Sequence, residues 1–143
     1  SLNLAEDDEL VELMVKAGFV LVFMGIETPD TDSLMGINKV QNTRQSLVDS
    51  CHKITRLGLQ IMSGFIMGFD NERPGAGQRI KDFIDETGIP QGQFSLLQAL
   101  QNTAMWTRLQ QEGRLINGLG TFHQGAIMNF VPTRPVEEIT EEY

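Results

Sequence analysis

The chain has 143 residues, of which 41% are hydrophobic and 21% charged, a composition typical of one globular domain. Its 19 acidic and 11 basic side chains give a formal charge of −8, so we expect no nucleic acid partner. No apolar run approaches the roughly 20 residues that cross a bilayer, which excludes a membrane-spanning helix. The single cysteine, Cys51, excludes an internal disulfide and fits a reducing, cytoplasmic setting.

The first half of the chain alternates between helix and strand patterns. Asn3 and Glu6 resemble a capping box, which would open a helix that ends at Gly18. Residues 19–26 form an apolar run that predicts a strand buried on both faces of a parallel sheet. Apolar positions in residues 43–58 then fall on one face of a predicted helix.

The second half repeats the alternation twice. Residues 59–69 predict a second strand, and residues 78–87 predict the helix that follows it. Residues 94–100 predict a third strand, after which Thr103 is expected to cap a helix that runs to Gly113. The predicted order is therefore one helix followed by three strand–helix pairs.

Strands separated by helices favour right-handed parallel crossovers, so the predicted class is α/β. We expect half of a TIM-type barrel in residues 1–114, with about three parallel strand–helix units preceded by a helix. Residues 115–143, where periodicity fades, are expected to form an irregular post-barrel extension. A whole barrel needs about 250 residues, so strand edges remain open. Because the chain begins at Ser1 without Met, we expect a missing N-terminal half-barrel of the same protein, or a homodimer, to cover these edges.

Candidate binding residues lie where the predicted strands end, because ligands of parallel α/β proteins bind there. Glu27 could bind a ribose or an amine, or could cap a helix or stabilise a turn. Gly64 and Gly68 favour a flat ligand against bare main chain, with a bulge or tight packing as the alternative. Asp70 could bind a ligand hydroxyl or simply begin the next loop.

No catalytic residue and no metal ligand is predicted in this chain. Cys51 and His52 are neighbours in a predicted helix, so they point in different directions and favour core packing and surface placement respectively. His123 belongs to no recognisable metal-binding pattern.

Four motifs together resemble the second half of the radical S-adenosylmethionine enzyme core, particularly the bacterial enzymes that follow a cobalamin-binding domain. The motifs are residues 23–29, 38–42 and 64–70, and residues 97–100 with Asn102, Thr103, Arg108 and Leu109. The resemblance extends from about residue 10 to the end of the chain.

The resemblance implies a role for each matching position. Glu27 would end the fourth barrel strand near the ribose and methionyl part of S-adenosylmethionine. Gly64, Ile66 and Gly68 would contact adenine from the fifth strand, and residues 97–99 would lie beside adenine on the sixth. The predicted cofactor-binding residues are thus Glu27, Gly64, Ile66, Gly68, Asp70, Leu97 and Ala99.

The resemblance also implies an activity that this chain lacks on its own. Such enzymes use a [4Fe–4S] cluster to cleave S-adenosylmethionine to a 5′-deoxyadenosyl radical, here for an unknown small-molecule substrate, and cobalamin would enter through an upstream domain. The cluster motif Cys-x3-Cys-x2-Cys is absent, so we expect it upstream of Ser1 and expect the isolated chain to be inactive. The alternatives are a non-catalytic α/β nucleotide-binding or interaction module, and an unrelated flavodoxin-like or barrel fragment.

Overall fold

The computed structural model describes residues 2–30, 44–116, 118–119 and 127–143. Within these ranges a short 3₁₀ helix, Leu2–Glu6, precedes five α-helices and three β-strands. The helices are α1 (Asp8–Lys16), α2 (Arg44–Arg56), α3 (Ala76–Thr87), α4 (Ala104–Gln111) and α5 (Val136–Glu142), and the strands are β1 (Leu21–Glu27), β2 (Gln60–Met67) and β3 (Gln91–Leu96).

The first α-helix begins later than the capping box predicts. Asp7 is the N-cap residue, because its carboxylate accepts a hydrogen bond from the backbone N–H of Leu10. Asn3 and Glu6 lie in the preceding 3₁₀ helix, so the predicted capping box is wrong. Gly18 follows the helix with a φ of +90°, which confirms the predicted glycine stop.

The three strands form one parallel sheet in the order β1, β2, β3, and helices α2 and α3 lie in the crossovers between them. Both of these helices pack on β2. The arrangement confirms the predicted α/β class and its parallel strand–helix units. It is consistent with part of a barrel, which stays a prediction.

The third strand lies closer to the N-terminus than residues 94–100. It pairs with β2 from Gln91 opposite Met62 to Leu96 opposite Met67. The ladder then ends with one hydrogen bond from the backbone N–H of Leu97 to the carbonyl oxygen of Met67. Residues 98–100 are not part of the sheet. The predicted boundaries are wrong because pairing with β2, and not local apolar content, determines where this strand begins and ends.

The two faces of the sheet differ in how well they are covered. In β2, Ile61, Ser63, Phe65 and Met67 are buried, and the Phe65 ring contacts Phe83 of α3. The alternating residues Met62, Gly64 and Ile66 are only half-buried.

Strand β1 continues this second, less covered face. Phe23 and Gly25 stand opposite Met62 and Gly64, and Phe23 is 56% exposed. We call this side the open face. The prediction that residues 19–26 are buried on both sides is therefore wrong, because β1 is an edge strand of the described sheet and only its other face, with Met24 and Ile26, is buried.

The predicted irregular tail contains regular structure. Leu115 and Phe130 form an isolated antiparallel bridge, and α5 follows Pro135. Seven residues are too few to show a clear helical periodicity, which is why the sequence did not indicate α5. A helix this short has little stability of its own, so packing of the buried Ile139 stabilises it. The predicted division at residue 114 stays a prediction.

Several smaller expectations concern single residues. Cys51 is fully buried in the core, and His52 is exposed with its ring Nε2 2.9 Å from the Glu86 carbonyl oxygen, so both placements are confirmed. Among the described residues, no helix has the length and apolar character that crossing a membrane requires. His123 and residues 38–42 lie outside the described residues.

Candidate cofactor site

The open face presents bare main chain near the carboxyl ends of two adjacent strands. Gly25 of β1 stands opposite Gly64 of β2. A Cβ atom at Gly64 would lie 3.2 Å from Cζ of Phe23, so the edge of the Phe23 ring lies over this glycine. Ile66 follows two residues later and is half-buried on the same face. A planar group can approach the exposed backbone at Gly25 beside the Phe23 ring.

Glu27 ends β1 beside this gap. Its Oε1 atom lies 3.6 Å from the position that a Cβ of Gly25 would occupy, which places the carboxylate on the open face. The sheet register shifts between Gly25 and Glu27, and Glu27 has a φ of +68°. For a residue with a Cβ, this conformation costs roughly 1–2 kcal/mol and is found where the surrounding structure holds it.

The turn after Glu27 is organised by its neighbour. The hydroxyl of Thr28 accepts a hydrogen bond of 3.1 Å from the backbone N–H of Asp30, and both residues are buried. A turn-stabilising hydroxyl is therefore present independently of Glu27. The Glu27 carboxylate is directed toward the open face.

Gly68 has a different environment from Gly64. Its φ is +97°, which favours glycine, and a Cβ would lie 2.8 Å from Cε of Met128 and 3.8 Å from Cγ2 of Ile139. Its N–H donates a 2.9 Å hydrogen bond to the carboxylate of Glu72. The C-terminal residues thus fill the space beside Gly68, and tight packing explains this glycine.

Asp70 is held by two arginines. Arg114 donates two hydrogen bonds to its carboxylate, and Arg108 forms an ion pair of 2.8 Å with it. Burial raises the pKa of Asp70, whereas the hydrogen bonds and charges of Arg114 and Arg108 lower it, and the net shift is downward. The hydroxyl of Thr133 also donates to the Asp70 carbonyl oxygen at 2.7 Å. The carboxylate therefore remains ionised and fixed at the rim of the sheet.

The last two predicted residues, Leu97 and Ala99, lie just beyond β3. Asn129 pairs with the backbone of Ala99, accepting from its N–H and donating to its carbonyl oxygen, both at 2.8 Å. Leu97 lines a cavity of about 590 Å³ that we call the rim cavity. Its other lining residues are Phe69, Asp70, Asn71, Ala104, Met105 and Arg108. The structure thus brings Asp70 and Leu97 together at this cavity, while Ala99 is buried against Asn129.

Two buried carboxylates near this rim were missed by reasoning from the sequence. Asp30, whose side chain is 3% exposed, forms ion pairs with Arg73 and Arg79. Glu72, whose side chain is 1% exposed, forms one with Arg134 at 3.5 Å. The partners of both acids are distant in sequence, so neither residue shows a short-range pattern. The arginines at 73 and 79, six residues apart at the junction of a loop and a predicted helix, were the available indication.

Glu72 is the described acid with the largest change in acidity. Burial raises its pKa to about 7, and the Gly68 N–H and the charge of Arg134 offset only part of that effect. Its Oε1 atom has no hydrogen-bond partner in the described part of the chain, although Oε2 accepts from Gly68. A buried carboxylate with one unsatisfied oxygen favours its protonated form.

The described residues do not fit a metal centre or an iron–sulfur cluster. No group of three histidine, cysteine or acidic side chains within the described ranges could hold a metal ion. Cys51 is the single cysteine of the sequence, and burial raises the pKa of its thiol to about 11, which disfavours the thiolate that binds iron. The open face, by contrast, combines exposed main chain at Gly25 with the Glu27 carboxylate.

Comparisons with known proteins match the chain to one family model and to curated relatives. A family model described as a domain of unknown function, DUF4070, matches residues 103–143. An uncharacterized methyltransferase of Synechocystis sp. is 54% identical over 144 residues, which cover 100% of this chain and 27% of that protein. The hopanoid C-2 methylase of Rhodopseudomonas palustris is 39% identical over 117 residues, or 82% of this chain and 22% of that protein.

A third relative is the bacteriochlorophyllide d C-12(1)-methyltransferase of Chlorobaculum tepidum. It is 28% identical over 114 residues, which cover 80% of this chain and 25% of that protein. The chain thus spans about a quarter of the length of the curated relatives it matches. It is similar to a segment of proteins that are named as methyltransferases.

Proposed function

We propose that this chain is the cofactor-binding half of the barrel of a radical S-adenosylmethionine methyltransferase that attaches a methyl group to a carbon atom of its acceptor. Two of the relatives are named for methylation at numbered positions, C-2 and C-12(1), of two different acceptors. The observation that carries the proposal is the open face, where the bare main chain of Gly25 and Gly64 lies beside the Glu27 carboxylate.

Each residue of the open face has a role in this proposal. The backbone at Gly64 and the side chain of Ile66 would contact the adenine of S-adenosylmethionine, and Glu27 would accept hydrogen bonds from its ribose. Leu97 would border the same ligand from the rim cavity. Bound S-adenosylmethionine would supply the 5′-deoxyadenosyl radical, whereas these residues bind and orient it.

Three further predicted residues, Gly68, Asp70 and Ala99, would act less directly. Each contacts the C-terminal part of the chain, through Met128, Arg114 and Asn129 respectively. We infer that they shape the rim of the site through these contacts with the protein.

The iron–sulfur cluster would be held by residues outside this chain. Three thiolates are needed and the chain has one cysteine, which is buried in α2. The complete protein should therefore carry the Cys-x3-Cys-x2-Cys motif in another segment. Cobalamin, where it is used, would belong to a separate domain.

One edge of β1 has no partner strand among the described residues, and it fits the preceding half of the barrel as its partner. Leu10, Phe19, Val20 and Phe23 are large apolar residues that are between 45% and 73% exposed. Several of them line a cavity of about 480 Å³ between α1 and β1. Covering such a surface is favourable, and a neighbouring strand would also pair with the backbone of β1.

Anaerobic reconstitution of the complete protein that carries this chain tests the proposal. We expect the visible absorption of a [4Fe–4S] cluster, formation of 5′-deoxyadenosine from S-adenosylmethionine, and loss of both S-adenosylmethionine affinity and turnover in the Glu27→Gln variant. Absence of cluster absorption would contradict the proposal. Tight adenosine binding by a complete protein without a cluster motif would favour a nucleotide-binding module.

A further inference from the structure

The C-terminal segment, residues 127–143, contacts the loops that follow both β2 and β3. Beside β2, Met128 and Ile139 pack on Gly68, and Thr133 donates to the Asp70 carbonyl oxygen. Beside β3, the side chain of Asn129 satisfies both backbone groups of Ala99. The two loops are otherwise distant in sequence, so this one segment connects them.

A second set of contacts fixes the segment itself through charge. The carboxylate of Glu142 accepts hydrogen bonds of 2.8 Å from the backbone N–H groups of Gly75 and Ala76, at the start of α3. Arg134, whose side chain is 10% exposed, lies between Glu142 and the buried Glu72. A carboxylate at a helix N-terminus is favourable because the first N–H groups of a helix lack backbone partners.

One glycine of α3 shows how closely the segment approaches. A Cβ at Gly77 would overlap the backbone carbonyl oxygen of Glu142 and lie 3.4 Å from the Glu142 Cβ. Gly77 lies inside a helix, where glycine is less favourable than alanine by about 1 kcal/mol. The glycine is therefore explained by contact with α5.

We propose that residues 127–143 act as a positioning clamp, which holds the loops after β2 and β3 in the arrangement that forms the rim cavity. Phe69, Asp70 and Leu97 of these loops form one part of the cavity wall, and Met105 and Arg108 of α4 form another. Residues 103–143, which match a domain of unknown function, would thus supply one wall of the cavity and the contacts that fix the opposite wall.

The effect of the clamp on ligand affinity rests on the proposed function, whereas its effect on the loops does not. Loops that are already fixed bind a ligand without the cost of ordering them. Releasing the clamp should therefore weaken binding of S-adenosylmethionine without unfolding the sheet.

The Gly77→Ala variant of the complete protein tests the clamp, with Gln78→Ala as its control. Gln78 is the exposed neighbour in the same helix, and its side chain bonds only to Asp82 among the contacts described. In Gly77→Ala the end of α5 must move and withdraw the Glu142 carboxylate from Gly75 and Ala76. Glu142→Ala removes the acceptor for the N–H groups of Gly75 and Ala76 and should speed their hydrogen exchange. Glu142→Gln keeps an acceptor oxygen and should therefore speed this exchange less.

Two readouts separate positioning from simple structural support. Without ligand, we expect the amides of Gly68, Glu72 and Ala76 to exchange hydrogen at least tenfold faster in Gly77→Ala, while the amides of β1 and the central residues of β2 stay unchanged. With S-adenosylmethionine as the probe, we expect a several-fold higher Kd at a temperature where the unfolding curve shows that the variant is fully folded. The Gln78→Ala control should match the wild type in both.

Each other outcome is decisive. Unchanged exchange in Gly77→Ala would overturn the clamp, and faster exchange with unchanged affinity would overturn its positioning role. If the wild-type protein itself does not bind S-adenosylmethionine, the proposed function fails, and hydrogen exchange alone then decides whether the segment holds the loops.

Discussion

The two halves of one motif, residues 64–70, face different surroundings. Gly64 and Ile66 lie on the open face, where main chain is left bare beside Phe23. Gly68 and Asp70 contact the C-terminal part of the chain, through Met128 and Arg114. Two glycines four residues apart therefore have different surroundings, since one lies beside a half-exposed aromatic ring on the open face and the other packs against Met128 and Ile139.

The largest effect is expected where the C-terminal residues contact the rim, on removal of the Asn129 side chain that bonds to the backbone of Ala99. In Asn129→Leu the N–H and carbonyl oxygen of Ala99 would remain buried without hydrogen bonds, at a cost on the order of 2–5 kcal/mol. Hydrogen exchange at Ala99 should report this loss as an equal fall in opening free energy. Gln110→Leu, an exposed change on α4, should leave it unaltered, and equal effects of the two variants would contradict the assignment.

Glu72, the buried acid beside Gly68, should make the free energy of unfolding depend on pH. The pKa of Glu72, about 7, lies above its ordinary value of 4.5, so protonation stabilises the folded state. This contribution is complete below about pH 4.5 and is lost as the pH rises through 7, and it amounts to about 3 kcal/mol. The groups that face Glu72 are the Gly68 N–H, Arg134, Glu142 and Arg79.

The Glu72→Gln variant should remove that dependence, because an amide does not titrate in this range. We expect the free energy of unfolding of the wild type to fall more steeply between pH 5 and 8 than that of the variant. Parallel curves for the two proteins would show that Glu72 has an ordinary pKa.

At Gly68, the cost of backbone conformation and the cost of contact with Met128 can be separated with a matched pair of alanine variants. Gly18→Ala places alanine at a φ of +90° with nothing within 4 Å of the new Cβ, so its cost of about 1 kcal/mol is conformational. Gly68→Ala adds contact with Met128 at a similar φ and should cost about 1 kcal/mol more. Equal losses in unfolding free energy would mean that the Met128 side chain moves aside at no measurable cost.

Local patterns predicted much of this fold. The glycine after α1 and the Thr103 cap of α4, whose hydroxyl accepts from the Trp106 N–H, follow from short-range chemistry. The boundaries of β3 and the presence of α5 do not, because they depend on pairing with β2 and on packing of Ile139. Tertiary contacts of this kind have no local pattern.

The candidate site divides in the same way. Glu27 and Gly64 could be identified because strand ends and glycines inside strands are visible in a sequence. The contacts of Asp70 and Glu72 could not, since Arg114 and Arg134 lie more than 40 residues away. The prediction of a cofactor-binding Asp70 stays open, with two arginine partners now assigned to its carboxylate.

The most direct test of the open face as a cofactor site is the affinity of the reconstituted complete protein for S-adenosylmethionine in two valine variants. Gly64→Val adds a side chain to the open face near the carboxyl end of β2, whereas Gln91→Val changes an exposed residue of the same face at the amino end of β3. We predict that Gly64→Val raises the Kd at least about tenfold, equivalent to 1.4 kcal/mol, and that Gln91→Val leaves it unchanged. Equal affinities in the wild type and Gly64→Val would contradict the account.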